Sequence, residues 1–327
     1  MIAVTGANGL LGSYIIRKLM ETNTPCVAVK RPNSDTRLLD DLNGQINWRD
    51  ADVLDIVSLH EALRDCTGVI HAAAMVSFSA RYKNDMMHVN VDGTRHVVDA
   101  CLSLGIKRLL HISSVSALGR TAANAVINET QTWEDSPLNS AYGESKYKAE
   151  LEVFRGQEEG LRTVTVNPSV ILARGHWDRS SAKIFNYVKR GGLFYTAGAF
   201  NYVDVRDVTE VIFQLYHSQH EGERYIVNAG LIGYKEFFHR AADFMGVKPP
   251  RIEAGGSLLR TVAFAENIRS LITGKEPVIT REMARIAETQ IRFDNKKIQA
   301  LPFSFRTLDE TLLWCAEFYR KQSELKN

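Results

Sequence analysis

Tyr142 and Lys146 stand four residues apart in the run Tyr142-Gly-Glu-Ser-Lys146, a spacing that puts both side chains on one face of a helix. An ammonium beside a phenol favours the phenolate and so draws a group of intrinsic pKa ~10 toward neutrality. A tyrosine tuned in that way can pass a proton to or from an alcohol near neutral pH. Ser114, well upstream, is placed to hold the reacting oxygen. The three together can interconvert an alcohol and a carbonyl, and that chemistry requires a hydride carrier.

A place for the carrier stands at the start of the chain. Met1-Ile-Ala-Val-Thr5 reads as a short buried strand and Gly9 to Glu21 as a helix, with Thr5-Gly6-Ala7-Asn8-Gly9-Leu10-Leu11-Gly12 spanning the turn between them. The first two glycines let the backbone turn sharply and approach a pyrophosphate. The third permits close packing of helix on strand, and the helix N-terminus offers unpaired N–H groups and a positive dipole. Following a strand, opening a helix and preceding a Ser/Tyr/Lys set, this turn points to a dinucleotide.

Those motifs carry a resemblance. The chain resembles the extended short-chain dehydrogenase/reductases, that is, the NAD-dependent epimerase/dehydratase family with its dihydroflavonol-4-reductase-like and sugar-epimerase-like branches. Thr5 to Gly12 matches the family pattern TGxxGxxG, Tyr142 and Lys146 match YxxxK, and Ser113-Ser114-Val-Ser-Ala-Leu-Gly119 matches the strand-end serine segment. Asp52-Val-Leu-Asp55, His71-Ala-Ala-Ala74 and Asn90-Val-Asp-Gly-Thr94 are further matches in the expected order. The resemblance implies Ser114, Tyr142 and Lys146 as the catalytic set, with Tyr142 as general acid/base and Lys146 also holding the nicotinamide ribose. It implies cofactor contacts from Thr5, Gly6, Asn8, Gly9, Leu10, Leu11 and Gly12, from Asp52 at the adenine with Val53 beside it, and from His71, Ala72 and Ala73 under the ribose. Asn167, Pro168 and Val170 complete that set. His71 has no second ligand near it in sequence, so it reads as a structural strand-end histidine. No metal site is expected.

Where the second strand ends, an acidic residue would grip the ribose 2′-OH of NAD, and a basic one would accommodate the 2′-phosphate of NADP. The strand ends Val27-Ala-Val-Lys30-Arg31-Pro32, with no carboxylate before Asp35. Lys30 and Arg31 attract a phosphate and can form charge-assisted hydrogen bonds to it. NADP(H) is the expected cofactor and NAD(H) the alternative.

Strand-like runs at 2–5, 26–30, 46–48, 68–71, 107–113 and 163–168 alternate with helical patterns at 10–20, 56–65, 90–104 and 142–158. Such alternation implies a parallel sheet with helices on both faces. The expected fold is α/β, a Rossmann-type doubly wound parallel sheet with a smaller, mostly helical C-terminal substrate lobe. Residues 1–172 would form the NADP-binding domain, with 201–229 returning to it, and 173–200 and 230–327 the lobe. A helix near 207–218, capped by Asp207, and a last strand at 225–228 are expected. Beyond them, helices are expected near 234–246, 257–272, 280–289 and 307–323.

The 327 residues are 45% hydrophobic and 24% charged, and 40 basic against 38 acidic side chains leave a net charge of +2. Nothing in that balance points to nucleic acid or an anionic membrane. No apolar run approaches ~20 residues, so no membrane span is expected. Four scattered cysteines (26, 66, 101 and 315) lack zinc spacing. With a chain that opens directly in its first strand, they read as reduced thiols of a cytoplasmic protein. The resemblance leaves a homodimer through helices 90–104 and 142–158 open.

Val115 and Ser116 follow Ser114 where the family's dehydratases carry acidic residues. Val170 stands where its galactose-type epimerases carry asparagine. Arg174, Arg179 and Lys183 keep a pyrophosphate-gripping cation, and with it a nucleotide-sugar epimerase, as the alternative. Relatives that bind NADP(H) as sensors usually lose the tyrosine or the lysine, and this chain keeps both. Val76, Phe78, Trp177, Phe185, Tyr195, Phe200 and Tyr202 fall on the segments expected to line the substrate pocket. They favour a partly apolar small-molecule ketone or aldehyde.

Overall fold

In the computed structural model the chain begins β1 (Ile2–Thr5), α1 (Leu10–Glu21), β2 (Cys26–Lys30), β3 (Trp48–Asp50), α2 (Ile56–Leu63) and β4 (Gly68–His71). A short helix α3 (Lys83–Met87) runs through a π-helical turn, His88–Asp92, into α4 (Gly93–Ser103). Then come β5 (Arg108–Ile112), β6 (Val126–Ile127), α5 (Ala141–Glu158), β7 (Arg162–Pro168), β8 (Val170–Leu172), α6 (Ala182–Lys189), β9 (Phe194–Tyr195), β10 (Ala199–Asp204), α7 (Val205–His217) and β11 (Glu223–Val227). The last third holds β12 (Gly230–Gly233), α8 (Tyr234–Met245), β13 (Ile252–Glu253), β14 (Arg292–Phe293), α9 (Lys296–Gln299) and α10 (Leu308–Glu324). The structure describes all residues except 43, 121–125, 176–181, 257, 259, 260, 262, 263, 265, 267, 268, 270–289 and 325–327. The expected helix 280–289 and most of 257–272 therefore lie outside the described residues.

Seven strands form one sheet in the order β11-β7-β5-β4-β1-β2-β3, and every pairing is parallel. This is a doubly wound sheet of the Rossmann type. Its inner strands are buried runs such as IAVT and RLLHI, as a sheet covered on both faces requires. One cluster packs Ile15, Ile16 and Leu19 of α1 and Val208, Ile212 and Leu215 of α7 on one face. A second packs Leu59 and Leu63 of α2, Val97 and Val98 of α4 and Val153 of α5 on the other. The strand order reverses between β1 and β4, which opens a crevice beyond their carboxyl ends where ligands of such sheets bind.

Several details differ from the sequence reading. β3 covers 48–50 rather than 46–48, and β11 ends at Val227. The 199–204 segment is a strand, pairing with β8 in parallel and with β12 antiparallel to make a second sheet. As a result α7 begins earlier than expected, and its cap is Asp204, whose side chain accepts from the Arg206 N–H at 2.8 Å. Asp207 instead lies inside the helix, buried and paired with Arg306.

Candidate active site

The turn after β1 is shaped by backbone geometry. Gly6 sits at φ +67°, and a Cβ there would come within 2.7 Å of the Ala73 Cα, so only glycine suits both the conformation and the neighbour. At Gly12 a Cβ would run into the Gly6 carbonyl, which is what lets α1 lie so close to β1. Gly9 occupies the N-cap of α1, provides no side-chain cap, and no acidic residue stands in the first turn. The N-terminal N–H groups of this helix are thus left for an anion. The turn fits the pyrophosphate of a dinucleotide.

Around it, Ala72 donates from its N–H to the Thr5 carbonyl and Ala73 to the Thr5 hydroxyl, holding the end of β4 against β1. His71 is buried with both ring nitrogens engaged, Nδ1 with Thr5 Oγ1 at 2.7 Å and Nε2 with Thr94 Oγ1 at 3.0 Å. Thr94 gives its own proton to the Asn90 carbonyl at 2.6 Å, so Nε2 is the protonated nitrogen and Nδ1 accepts from Thr5. Burial holds the His71 pKa down at about 3. The ring is a neutral strut, and only its backbone remains to meet a ligand. Asp52 follows β3, its carboxylate accepting from the Leu54 N–H at 3.0 Å, with Val53 buried beside it.

The basic strand end behaves differently for its two members. Lys30 is paired with Asp50 on the neighbouring strand at 2.5 Å and lies over the Trp48 ring, whereas Arg31 is exposed. The carboxylate at 35 is engaged by Arg37.

α5 carries the reactive pair. Ser140 caps it by accepting from the Gly143 N–H at 2.8 Å, which fixes the first turn and with it Tyr142. Ser114 ends the segment after β5, and its Oγ accepts from the Ser116 N–H at 3.1 Å. Ser114 stands close enough to the Tyr142 phenol to favour its ionised form and so to lower its pKa. Burial outweighs it and pushes that pKa up to about 12. Here the sequence expectation is overturned. The Lys146 ammonium does not depress the tyrosine, because it is buried one turn below and donates to the Ile112 carbonyl at 2.8 Å, with the His111 Nε2 3.4 Å away. Burial in turn lowers the Lys146 pKa to about 8.

The polar support behind this pair includes two asparagines that the sequence reading named, but not the partners that hold them. Asn90, on the π-helical turn, accepts from the Met75 N–H at 2.7 Å and donates to the Met75 carbonyl and to Ser145 Oγ, each at 2.9 Å. Ser145 donates to the Tyr142 carbonyl at 2.8 Å. Asn167 is fully buried, its Nδ2 donating to the Ser114 carbonyl at 3.0 Å and to Glu150 at 2.6 Å. Its amide nitrogen is therefore spent on the scaffold. Pro168 is buried at the end of β7, and Val170, at the start of β8, is exposed. Glu150 sits four residues beyond Lys146, and that register was the available signal.

The expected substrate residues divide. Phe78 meets the Tyr142 ring edge-on at 6.1 Å between centroids, and Val76 is exposed nearby on the same loop. Phe185, Tyr195 and Phe200 are instead core residues, packed with Phe237, Phe238 and Tyr319 where α6, α8 and α10 meet. Tyr202 packs partly buried against the same cluster. α6, β9 and β10 turn these side chains inward against α8 and α10. Trp177 and Arg179 lie outside the described residues. Arg174 is occupied, donating to the Trp314 carbonyl at 2.7 Å, pairing with Glu317 and stacking on the Trp314 ring. A cavity of about 460 Å³ flanks the N-terminus of α5, lined by Lys83, Trp133, Asp135, Asn139 and Glu144 among others, and does not include Tyr142. No described helix is long and apolar enough to cross a membrane.

Known proteins are similar to this chain. A protein of Synechocystis sp., provisionally named a dihydroflavonol 4-reductase, is 26% identical over 99% of this chain and 95% of its own. Cinnamoyl-CoA reductase 1 of Oryza sativa subsp. japonica is 28% identical over 69% of this chain and 70% of its own. Among solved structures, gox2253 superposes with a TM-score of 0.84 at 28% identity, covering 98% of both chains. A UDP-glucose 4-epimerase of Thermotoga maritima, at 18% identity and a TM-score of 0.80 over 98% of this chain and 99% of its own, shares the fold. The sequence profile of the NAD dependent epimerase/dehydratase family matches residues 2–230, and this chain belongs to that family.

Proposed function

We propose that this protein is an NADP(H)-dependent oxidoreductase that interconverts a carbonyl and an alcohol on a partly apolar small molecule. What carries the reading is the placing of Ser114, at the turn after β5, beside the Tyr142 phenol in the first turn of α5, with Lys146 buried one turn further along the same helix. A phenol whose pKa lies at about 12 is protonated at neutral pH, so Tyr142 enters the site as a proton donor. In the reductive direction it gives that proton to the carbonyl oxygen as a hydride adds to the carbonyl carbon. Positioned acid catalysis of this kind contributes ~10²–10⁴-fold. Ser114 donates to the same oxygen and stabilises the charge that develops there. When bound, the reduced nicotinamide supplies the hydride. Thr5 to Gly12 would hold the pyrophosphate, Asp52 and Val53 the adenine side, Ala72 and Ala73 the ribose, and Lys146 the nicotinamide ribose. Arg31, exposed at the end of β2, would meet the 2′-phosphate, with Lys30 joining if it leaves Asp50.

Residues 173–200 and 230–327 are taken as the substrate lobe. Phe78 against Tyr142, with Val76 beside it, supplies the apolar side of the reacting centre. The occupied Arg174 weighs against a pyrophosphate-bearing substrate. NADPH oxidation by the purified protein, followed over ketones and aldehydes and over UDP- and dTDP-sugars, tests the reading. Turnover of the carbonyl compounds supports it; turnover of the sugars alone would put the epimerase reading in its place.

A further inference from the structure

Tyr142, Lys146 and Glu150 follow one another at four-residue steps along one stripe of α5. Glu150 is 0% and Lys146 1% exposed, both sealed between the helix and the sheet. Glu150 Oε1 accepts from Asn167 Nδ2 at 2.6 Å, and that same nitrogen reaches the Ser114 carbonyl at 3.0 Å. On its far side Oε2 lies 3.3 Å from Arg224 Nη1 on β11. Arg224 is itself held by the carbonyls of Glu129, at 2.8 Å, and Gln131. A buried ion pair is a poor source of stability, and an apolar side chain of the same volume would often serve the fold as well or better.

We propose that Glu150 is a positioning residue for the catalytic pair: it is the buried counter-charge of Lys146 and, through Asn167, the support of the Ser114 backbone. The inference rests on the reading of Ser114, Tyr142 and Lys146 given above. Among the described residues, these titratable groups bear on the lysine. His71 on β4 and His111 on β5 stand on the sheet side, their rings 5.3 Å apart and kept neutral by burial, and each is influenced by the lysine charge. Tyr142 lies on the same helix. Among the described residues Glu150 favours the charged lysine, against burial, which disfavours it. Burial raises the Glu150 pKa, and Ser113, Arg224, Asn167 and Lys146, which it faces, pull the other way and favour its carboxylate. Glu150→Gln keeps the shape and an acceptor for Asn167 but removes the charge, so Lys146 must give up its proton at lower pH.

The test is direct titration of Lys146 by NMR of protein labelled at lysine Cε, the signal assigned by its loss in Lys146→Arg. Wild type is expected to titrate at about 8. Glu150→Gln is expected to titrate at least about one pH unit lower, and Glu150→Asp to recover most of the difference. Because Glu150→Gln leaves the part-buried Arg224 without its carboxylate, Glu150→Gln with Arg224→Met is measured beside it and removes both charges; it decides the matter if the single variant does not fold. The alkaline limb of kcat/KM should move by the same amount. A Lys146 titration unchanged in either glutamine variant overturns the proposal. The NMR midpoint needs no turnover, so a failed substrate panel and an unchanged Lys146 titration are read separately, the first striking the functional reading and the second the coupling of Glu150 to Lys146.

Discussion

The Lys146 ammonium donates to the Ile112 carbonyl at 2.8 Å, at the carboxyl end of β5 and out of contact with water. The pH dependence of the enzyme follows. Burial brings Lys146 down to about 8 while Tyr142 stays protonated up to about 12. Reduction needs the lysine charged and the phenol protonated, so the lysine is the first of the two to fail as pH rises. The kcat/KM for carbonyl reduction with NADPH, measured from about pH 6 upward, should fall through a midpoint near 8. A profile level to about pH 10 would show that Lys146 does not set the limb.

Cofactor choice is expected to turn on Arg31. It is exposed at the end of β2, while its neighbour Lys30 already pairs with Asp50. Arg31→Glu should lower the NADPH-to-NADH ratio of kcat/KM by ~10–100-fold, the equivalent of one charge-assisted contact made repulsive. An unchanged ratio would move the phosphate contact elsewhere.

Phe185 is a core residue and should behave as one. It is fully buried against Phe237 and Tyr319, and Phe185→Ala should cost about 3–5 kcal/mol of stability. Thermal melts should show the loss, with NADPH affinity near wild type below the melting transition. A selective rise in KM without a lower Tm would return the residue to the substrate pocket.

Signals that act over a few residues were readable in the sequence. The Gly6–Gly12 turn and the Tyr142–Lys146 step are local constraints, and the structure builds them as read. The alternation of strands and helices likewise gave the parallel sheet. What escaped depends on partners far away in the chain. β10 exists through its pairing with β8 and β12, and its presence moved the helix cap from Asp207 to Asp204. Asp207 faces inward because Arg306, ninety-nine residues on, pairs with it. The tyrosine's pKa ran opposite to expectation because spacing places Lys146 on the right face but does not say that Ile112 will hold its ammonium. Phe185, Tyr195 and Phe200 looked like pocket residues until α8 and α10 covered them.

The central claim is that the Tyr142 phenol delivers the proton while hydride is transferred. Single-turnover reduction of a substrate carbonyl by NADPH, in wild type and Tyr142→Phe with NADPH affinity measured alongside by fluorescence, tests it most directly. The account predicts a rate lowered by ~10²–10⁴-fold with affinity changed little. A Phe variant that reduces the carbonyl at the wild-type rate would contradict it.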